Sequence, residues 1–191
     1  MSERHPEKPL TQVRRRNREV EDESWIRDFL RRAPTCTLAT VAGGQPFLNT
    51  NLFFFDEPAH LIYIHTAAAG RTRDNIAADG RVCLTVAEMG RLLPAEKVTD
   101  YSTEYASVVI FGRATVVTDP RELRHVLHNQ LDKYFPHLRS GRDYQPFSDE
   151  ESGRAAAYRI TIDEWSAKQN RAAPDYPGAF WYPESLFRRD P

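Results

Sequence analysis

The chain has 191 residues, with 26 Lys and Arg against 27 Asp and Glu, a formal net charge of −1. That balance excludes a general electrostatic affinity for nucleic acid. No apolar run approaches the ~20 residues of a membrane span, and the polar N-terminus lacks the apolar middle of a signal peptide, so the expectation is one cytoplasmic domain with a core of ordinary size.

In chain order, residues 1–21 form a polar segment. The basic run Val13-Arg14-Arg15-Arg16-Asn17-Arg18 is answered by Glu19, Glu21, Asp22 and Glu23, and reads as a solvated arm. Ser24 is a candidate cap for a short helix. Its apolar stripe is Trp25, Ile26, Phe29 and Leu30, and Pro34 ends it. Thr35–Val41 reads as a strand, Gly43-Gly44 as a tight hairpin turn, and Phe47–Phe55 as the return strand. After the Asp56-Glu57-Pro58-Ala59 turn, His60–His65 is a third strand, completing an antiparallel meander.

The most informative stretch comes next. Leu61–His65 is rich in β-formers, Ala67–Ala69 is a small-residue loop, and Gly70 precedes a helix opening with Arg71-Thr72-Arg73. A helix N-terminus carries unpaired N–H groups and a partial positive charge. Arginine there is unfavourable without a facing anion, so the placement points to a phosphate site. Asp79-Gly80 turns the chain into a fourth strand, Arg81–Val86. Residues 88–104 read as a long irregular connection, a length that is usually functional or disordered. Ala106–Val117 is a fifth strand with a bulge or bend at Gly112. Asp119-Pro120-Arg121-Glu122 is a helix start, and Leu123, Val126, Leu127, Leu131 and Tyr134 form that helix's apolar face. Residues 141–153 are a polar connection, and Ala155–Ile162 is a sixth strand.

Other signals are weaker. Cys36 and Cys83 sit in separate strand-like runs, as buried thiols do, rather than as a disulfide or zinc pair. His125 and His128, three apart with Asp132 beyond them, have a metal-compatible spacing. They project away from Leu123 and Val126, which favours solvated surface, so no metal is expected. Neither a hydrolase nucleophile elbow nor a G-x-G-x-x-G fingerprint is present.

Taken together, the motifs carry a resemblance. Leu38-Ala39-Thr40-Val41 with Gly44-Gln45-Pro46 comes first, then Ile62-Tyr63-Ile64-His65-Thr66 and Gly70-Arg71-Thr72-Arg73. Arg81-Val82-Cys83, Tyr105–Ala114 and Glu164-Trp165-Ser166-Ala167-Lys168 complete the set. In order and spacing the chain resembles the pyridoxamine 5′-phosphate oxidase-like superfamily of flavin-binding split barrels, nearest to its nitroimidazole-resistance (Nim) branch. The resemblance spans residues 22–170 as one domain and leaves 171–191 as a proline- and aromatic-rich tail.

The resemblance implies a mainly β fold with edge helices, a six-stranded antiparallel split β-barrel. It implies a homodimer with FMN at the subunit interface, a deazaflavin or haem being the alternatives. The flavin ring would lie along Thr50, Asn51, Leu52 and Phe53, with His65 and Thr66 flanking the ribityl chain and phosphate. Arg71, with Thr72, would hold the phosphate. Many relatives have lysine where Thr72 stands, and Arg73 is the replacement charge. Ser107 would approach the ring or come from the partner, and Trp165 and Lys168 would approach from the C-terminal side. Ala167 stands where relatives often have glycine. His65 is the candidate catalytic residue, and Tyr101 and Tyr105 are further proton-donor candidates. The implied function is an FMN-dependent oxidoreductase acting on a small molecule. A flavin-binding protein without fast turnover and a genuine pyridoxamine 5′-phosphate oxidase are the alternatives. Only Arg188-Arg189 offers the latter a second basic pair near the end of the chain.

Overall fold

A computed structural model describes residues 9–145 and 155–182. The strands are β1 (Glu19–Val20), β2 (Cys36–Ala42), β3 (Gln45–Asn51), β4 (Phe53–Asp56) and β5 (Leu61–Ala67), then β6 (Arg81–Leu93), β7 (Ser102–Val116), β8 (Ala155–Thr161) and β9 (Glu164–Asn170). The helices are α1 (Glu23–Arg32), α2 (Arg71–Ala78) and α3 (Pro120–Tyr134). All strand pairs are antiparallel, in the order β3-β2-β6-β7-β8-β5-β4, and β9 pairs with both β7 and β1. This is the expected split-barrel architecture, but the sheet is not closed, and the strands among the described residues number nine rather than six.

The extra strands have physical origins. The expected Phe47–Phe55 strand breaks at Leu52, so β3 pairs β2 in one sheet while β4 pairs β5 in the other. The expected meander is therefore two hairpins in two sheets. No residue pattern marks β9, because Glu164–Asn170 is mostly polar. Its strand character comes from its pairing with β7 over Tyr105–Phe111. The two-residue β1 pairs Glu19 with Lys168 and Val20 with Ala167. Val13 is also buried, so the segment is anchored at both ends, while residues 14–17 are exposed as the solvated reading expects.

Gly112 is the expected bend. Up to Phe111, β7 pairs β9; from Ala114 it pairs β8. At the crossing the backbones touch so closely that a Cβ on Gly112 would stand 1.7 Å from the Thr161 carbonyl oxygen. Alternation sends Ala106, Val108, Ile110 and Ala114 inward, where they meet Leu38, Leu84, Phe53, Ile62, Ile64 and Tyr158 in one core. Helix α1 contributes Ile26, Phe29 and Leu30 to that core. Its cap is Asp22, which accepts from the Ser24 and Trp25 amides, rather than Ser24. Asp119 caps α3, with Pro120 at its start, as the sequence predicts.

The irregular connection expected at 88–104 is corrected to a β-hairpin arm. β6 and β7 stay paired to Leu93 and Ser102, with a bulge between Met89 and Leu92, so only residues 94–101 connect them. The arm is fastened by the C-terminal segment. Arg91 and Glu104 form a two-pronged ion pair, with Nη2–Oε1 at 2.8 Å and Nε–Oε2 at 3.0 Å. Arg91 also donates to the Ala173 and Pro174 carbonyls, and the Ala172 amide donates to Glu104. Leu92 and Phe180 bond backbone to backbone. These bonds hold the Glu104 carboxyl down at about 2, the Arg91 hydrogen bonds being the main cause.

Candidate functional site

Two elements distant in sequence meet at the expected phosphate position. Gly70, at φ 135°, turns the chain from β5 into α2, a conformation that favours glycine. Thr72 in the first turn is buried, and Asn49 Nδ2 of β3 donates to its hydroxyl at 3.4 Å. Asn51 Nδ2 in turn donates to the Asn49 carbonyl at 2.9 Å. One turn further, Asn75 donates to Thr40 Oγ1 at 2.9 Å and pins the helix onto β2. Arg71 is exposed, with its guanidinium 5.3 Å from the centre of the Phe47 ring, and has no acidic partner among the described residues. Arg73 instead donates to the Ala68 carbonyl and closes the loop before the helix. Arg71 is thus the cation left for an anion at this helix start, and Arg73 stiffens the loop.

The strand expected beneath a flavin divides its side chains between faces. Asn51 is buried beside Asn49 and Thr72, while Thr50 points the other way and shares a 3.2 Å contact with the Thr37 hydroxyl. Phe53 is fully buried under the Lys133 ammonium, 3.7 Å from the ring centre. Lys133 also donates to the Phe53 carbonyl, and burial lowers its pKa to about 8.

Leu52, at the break between β3 and β4, opens onto a half-open cavity of about 420 Å³ between β5 and α3. His65 forms its strand-side wall. Leu127, Leu131, Tyr134 and Phe135 supply apolar and aromatic surface, and His128 and Gln130 complete the helix side. His65 Nδ1 meets Gln130 Oε1. The amide oxygen accepts, so Nδ1 carries the proton of this bond. Gln130 is buried, and its Nε2 has no hydrogen-bond partner among the described residues. Thr66, next along β5, bonds to the Ala67 carbonyl and approaches the Tyr158 hydroxyl.

The remaining candidates lie elsewhere. Ser107 and Lys168 are register partners on β7 and β9, on the face opposite Val108 and Ala167. Counted along the sheet, β7 lies three strand spacings from β3 and β9 four, roughly 14 and 19 Å at ~4.8 Å each, and among the described residues no hydrogen bond joins Ser107 or Lys168 to the Arg71 cluster. Trp165 packs on the core side, against His60 and under Arg27. Tyr105 meets Arg18, and Tyr101 is exposed on the arm.

Sequence reasoning misses Gln130, Tyr134 and His128 as cavity residues. A signal exists for the first: Gln130 sits at i+4 from Val126, where the stripe of α3 calls for an apolar residue. His125 is exposed and pairs with Asp56 at 3.2 Å, while His128 lines the cavity and is half-buried. Among the described residues no cluster of three or more His, Cys, Asp or Glu side chains has metal-binding proximity. Cys36 is buried, with its thiol pushed up to about 12 by desolvation; Cys83 is half-buried, and both are free.

A family model described as pyridoxamine 5′-phosphate oxidase matches residues 22–169. Among solved structures, the chain resembles the flavocytochrome Anf3 from Azotobacter vinelandii, with a TM-score of 0.76 and 23% identity over 85% of this chain and 74% of that one. It also resembles an FAD- and haem-binding protein from Mycobacterium smegmatis, with a TM-score of 0.71 and 23% identity over 83% and 76% of the two chains. A third is a candidate 5-nitroimidazole antibiotic resistance protein from Bacteroides thetaiotaomicron, with a TM-score of 0.66 and 19% identity over 79% and 86%. A search of curated proteins gives no match. Among the described residues, no helix is long and apolar enough to cross a membrane.

Proposed function

The chain belongs to the pyridoxamine 5′-phosphate oxidase family, and on that premise we propose that it is an FMN-binding oxidoreductase of the nitroreductase-like type. The observation that carries the reading is the start of α2. An arginine without an acidic partner among the described residues stands beside helix amides, next to a strand whose half-buried Asn49 is bonded to the same helical turn and to the buried Asn51. That arrangement suits a phosphate monoester. Structural neighbours that bind a flavin support the choice of cofactor class.

In this reading Arg71 binds the phosphate through its guanidinium, and the Thr72 hydroxyl orients it. The backbone of residues 50–53 forms the bed for the ring. His65 and Thr66 flank the chain between ring and phosphate, and His65 lines the cavity where a small molecule meets it. The flavin supplies hydride and electron transfer when bound. The cavity walls exclude water from the reacting face, and Gln130 holds His65 in one tautomer. Among the described residues no charged side chain belongs to that lining, which favours an uncharged substrate over pyridoxamine phosphate.

The second subunit enters through Ser107 and Lys168, which lie three and four strand spacings along the sheet from β3 of their own chain. The same sheet face carries Leu48 and Val41, both exposed, with Ala39, Cys83 and Phe111 in register beside them. A homodimer across this face covers that apolar surface and delivers Ser107 and Lys168 to the partner's flavin. Sedimentation at micromolar concentration should show one species near twice the 22.0 kDa chain mass; a flavin-loaded monomer refutes the arrangement.

The direct test is the absorbance spectrum of the purified protein and its titration with FMN and riboflavin. FMN should bind much more tightly. Equal affinities remove the phosphate-site argument. Reoxidation of the reduced protein by a nitroaromatic separates an oxidoreductase from a protein that only binds flavin.

A further inference from the structure

We propose that one face of β3 is a positioning ladder for the anion clamp at the start of α2. Asn49 turns the Thr72 hydroxyl into a donor for the anion, and Phe47 holds the Arg71 guanidinium in place. The inference rests on the phosphate-site reading of α2 and adds to it two positioning residues that act through Thr72 and Arg71.

The strand supplies the geometry. Side chains alternate along β3, so Phe47, Asn49 and Asn51 share one face. Each reaches α2 or the next rung. The Phe47 ring centre lies 5.3 Å from the Arg71 guanidinium, Asn49 bonds to Thr72, and Asn51 bonds to Asn49. Leu48 and Thr50 lie on the other face, where Leu48 is exposed and Thr50 meets Thr37.

The hydrogen-bond directions start from Asn51. It is buried, and its Nδ2 is committed to the Asn49 carbonyl at 2.9 Å. Its Oδ1 is therefore the end that meets the Asn49 side chain, at 3.2 Å, and that atom only accepts. Asn49 must present Nδ2 to it, and the same Nδ2 donates to Thr72 Oγ1 at 3.4 Å. Thr72 is buried, its oxygen is taken as an acceptor, and its own proton has no acceptor among the described residues. A buried donor calls for a partner. The first backbone bond of α2 runs from the Asp74 amide to the Gly70 carbonyl, so the amides of residues 71–73 stand outside the helical ladder as further donors. Together with the Arg71 guanidinium they make a set that only donates. An oxyanion with no proton of its own, such as a phosphate monoester, fits it; a hydroxyl that must itself donate does not.

Phe47 acts on the remaining donor. Arg71 is exposed and has no acidic partner among the described residues, so the ring is what restrains its long side chain. A ring face attracts the guanidinium by cation–π interaction. Unlike a carboxylate, it leaves the positive charge un-neutralised for the anion.

The experiment is isothermal titration of the full chain with FMN and with riboflavin, in two double-mutant cycles. In the first, Asn49→Leu should weaken FMN about 3- to 10-fold and leave riboflavin unchanged. The same substitution should cost nothing further in Thr72→Val, and should keep its effect in Thr72→Ser, which retains the hydroxyl. In the second, Phe47→Leu should weaken FMN about 2- to 5-fold, and Phe47→Tyr should match wild type. Phe47→Leu should have no effect in Arg71→Ala. Circular dichroism and thermal melting check that each variant folds. A residue that only supports the fold would weaken both ligands alike or add its loss to that of its neighbour. Additive cycles, or equal losses for FMN and riboflavin, overturn the ladder while a wild-type preference for FMN leaves the phosphate reading standing. Equal wild-type affinities for the two ligands overturn both.

Discussion

Replacing Gly112 with alanine tests the point at which the two sheets meet. The added methyl would stand 1.7 Å from the Thr161 carbonyl oxygen and 2.9 Å from its carbonyl carbon, both backbone atoms that cannot rotate away. Relief requires β7 and β8 to move apart. Two hydrogen bonds bracket the site: Asp163 N to Phe111 O at 2.9 Å and Arg113 N to Thr161 Oγ1 at 3.1 Å. Losing both costs about 1 kcal/mol each, and overpacking adds about 1–3 kcal/mol. The expected destabilisation is therefore about 3–5 kcal/mol, a large part of the roughly 5–15 kcal/mol that holds a domain folded. For a chain of this length that lowers the melting temperature by about 6–20 °C. Urea denaturation monitored by circular dichroism measures it, with an unchanged slope showing that the same surface is exposed. A loss below about 1 kcal/mol would mean that the strands do not cross at Gly112.

Arg71→Ala should weaken FMN by about 1.5–3 kcal/mol, roughly 10- to 150-fold, and leave riboflavin unchanged, as isothermal titration would show. Glu104→Gln should free the tail from the arm, seen as faster proteolysis after Arg171 with the barrel intact. The pH dependence has a definite sign. Glu104 is held at about 2 in the folded chain, below its ordinary 4.5, so its stabilisation is complete above about pH 4.5. It is lost as the pH falls toward 2, and wild type should approach the Glu104→Gln cleavage rate over that window. Lys133 runs the other way. Its folded pKa of about 8 lies below its ordinary 10.5, so the unfolded chain binds the extra proton and stability should rise with pH between those values. Lys133→Met should abolish that slope in a comparison of urea midpoints; an unchanged slope would assign it to other groups.

Much of the architecture can be read from residue patterns where burial dictates them. The strands at Cys36–Ala42, Leu61–Ala67 and Ala155–Thr161 announce themselves through apolar runs, and α3 through its cap and stripe. Elements held by partners rather than by their own composition do not. β9 is polar along most of its length and is a strand because β7 offers an edge. The outer half of the β6–β7 arm contains Gly90, Arg91 and Glu104, which read as loop until the tail residues that bind them are in place. The break at Leu52 has neither glycine nor proline to announce it. For the site, the arginine-bearing helix start is visible because charge at a helix N-terminus has a local meaning. Its contact with Asn49, 23 positions earlier, is not. Nor is the pairing of His65 with Gln130, which depends on how α3 lies over β5.

The shortest strand among the described residues has an effect out of proportion to its length. β9 lies at one border of its sheet, and along such a border unpaired amides and carbonyls can recruit a strand from another molecule. The two residues of β1 occupy that border at Lys168 and Ala167, with Val20 packed against the core behind them. Charges at Glu19 and Lys168 flank the same position. The segment before α1 therefore acts as a guard against fibre-like stacking, and a chain shortened to begin at Asp22 would keep its barrel sequence yet present an open edge to its neighbours.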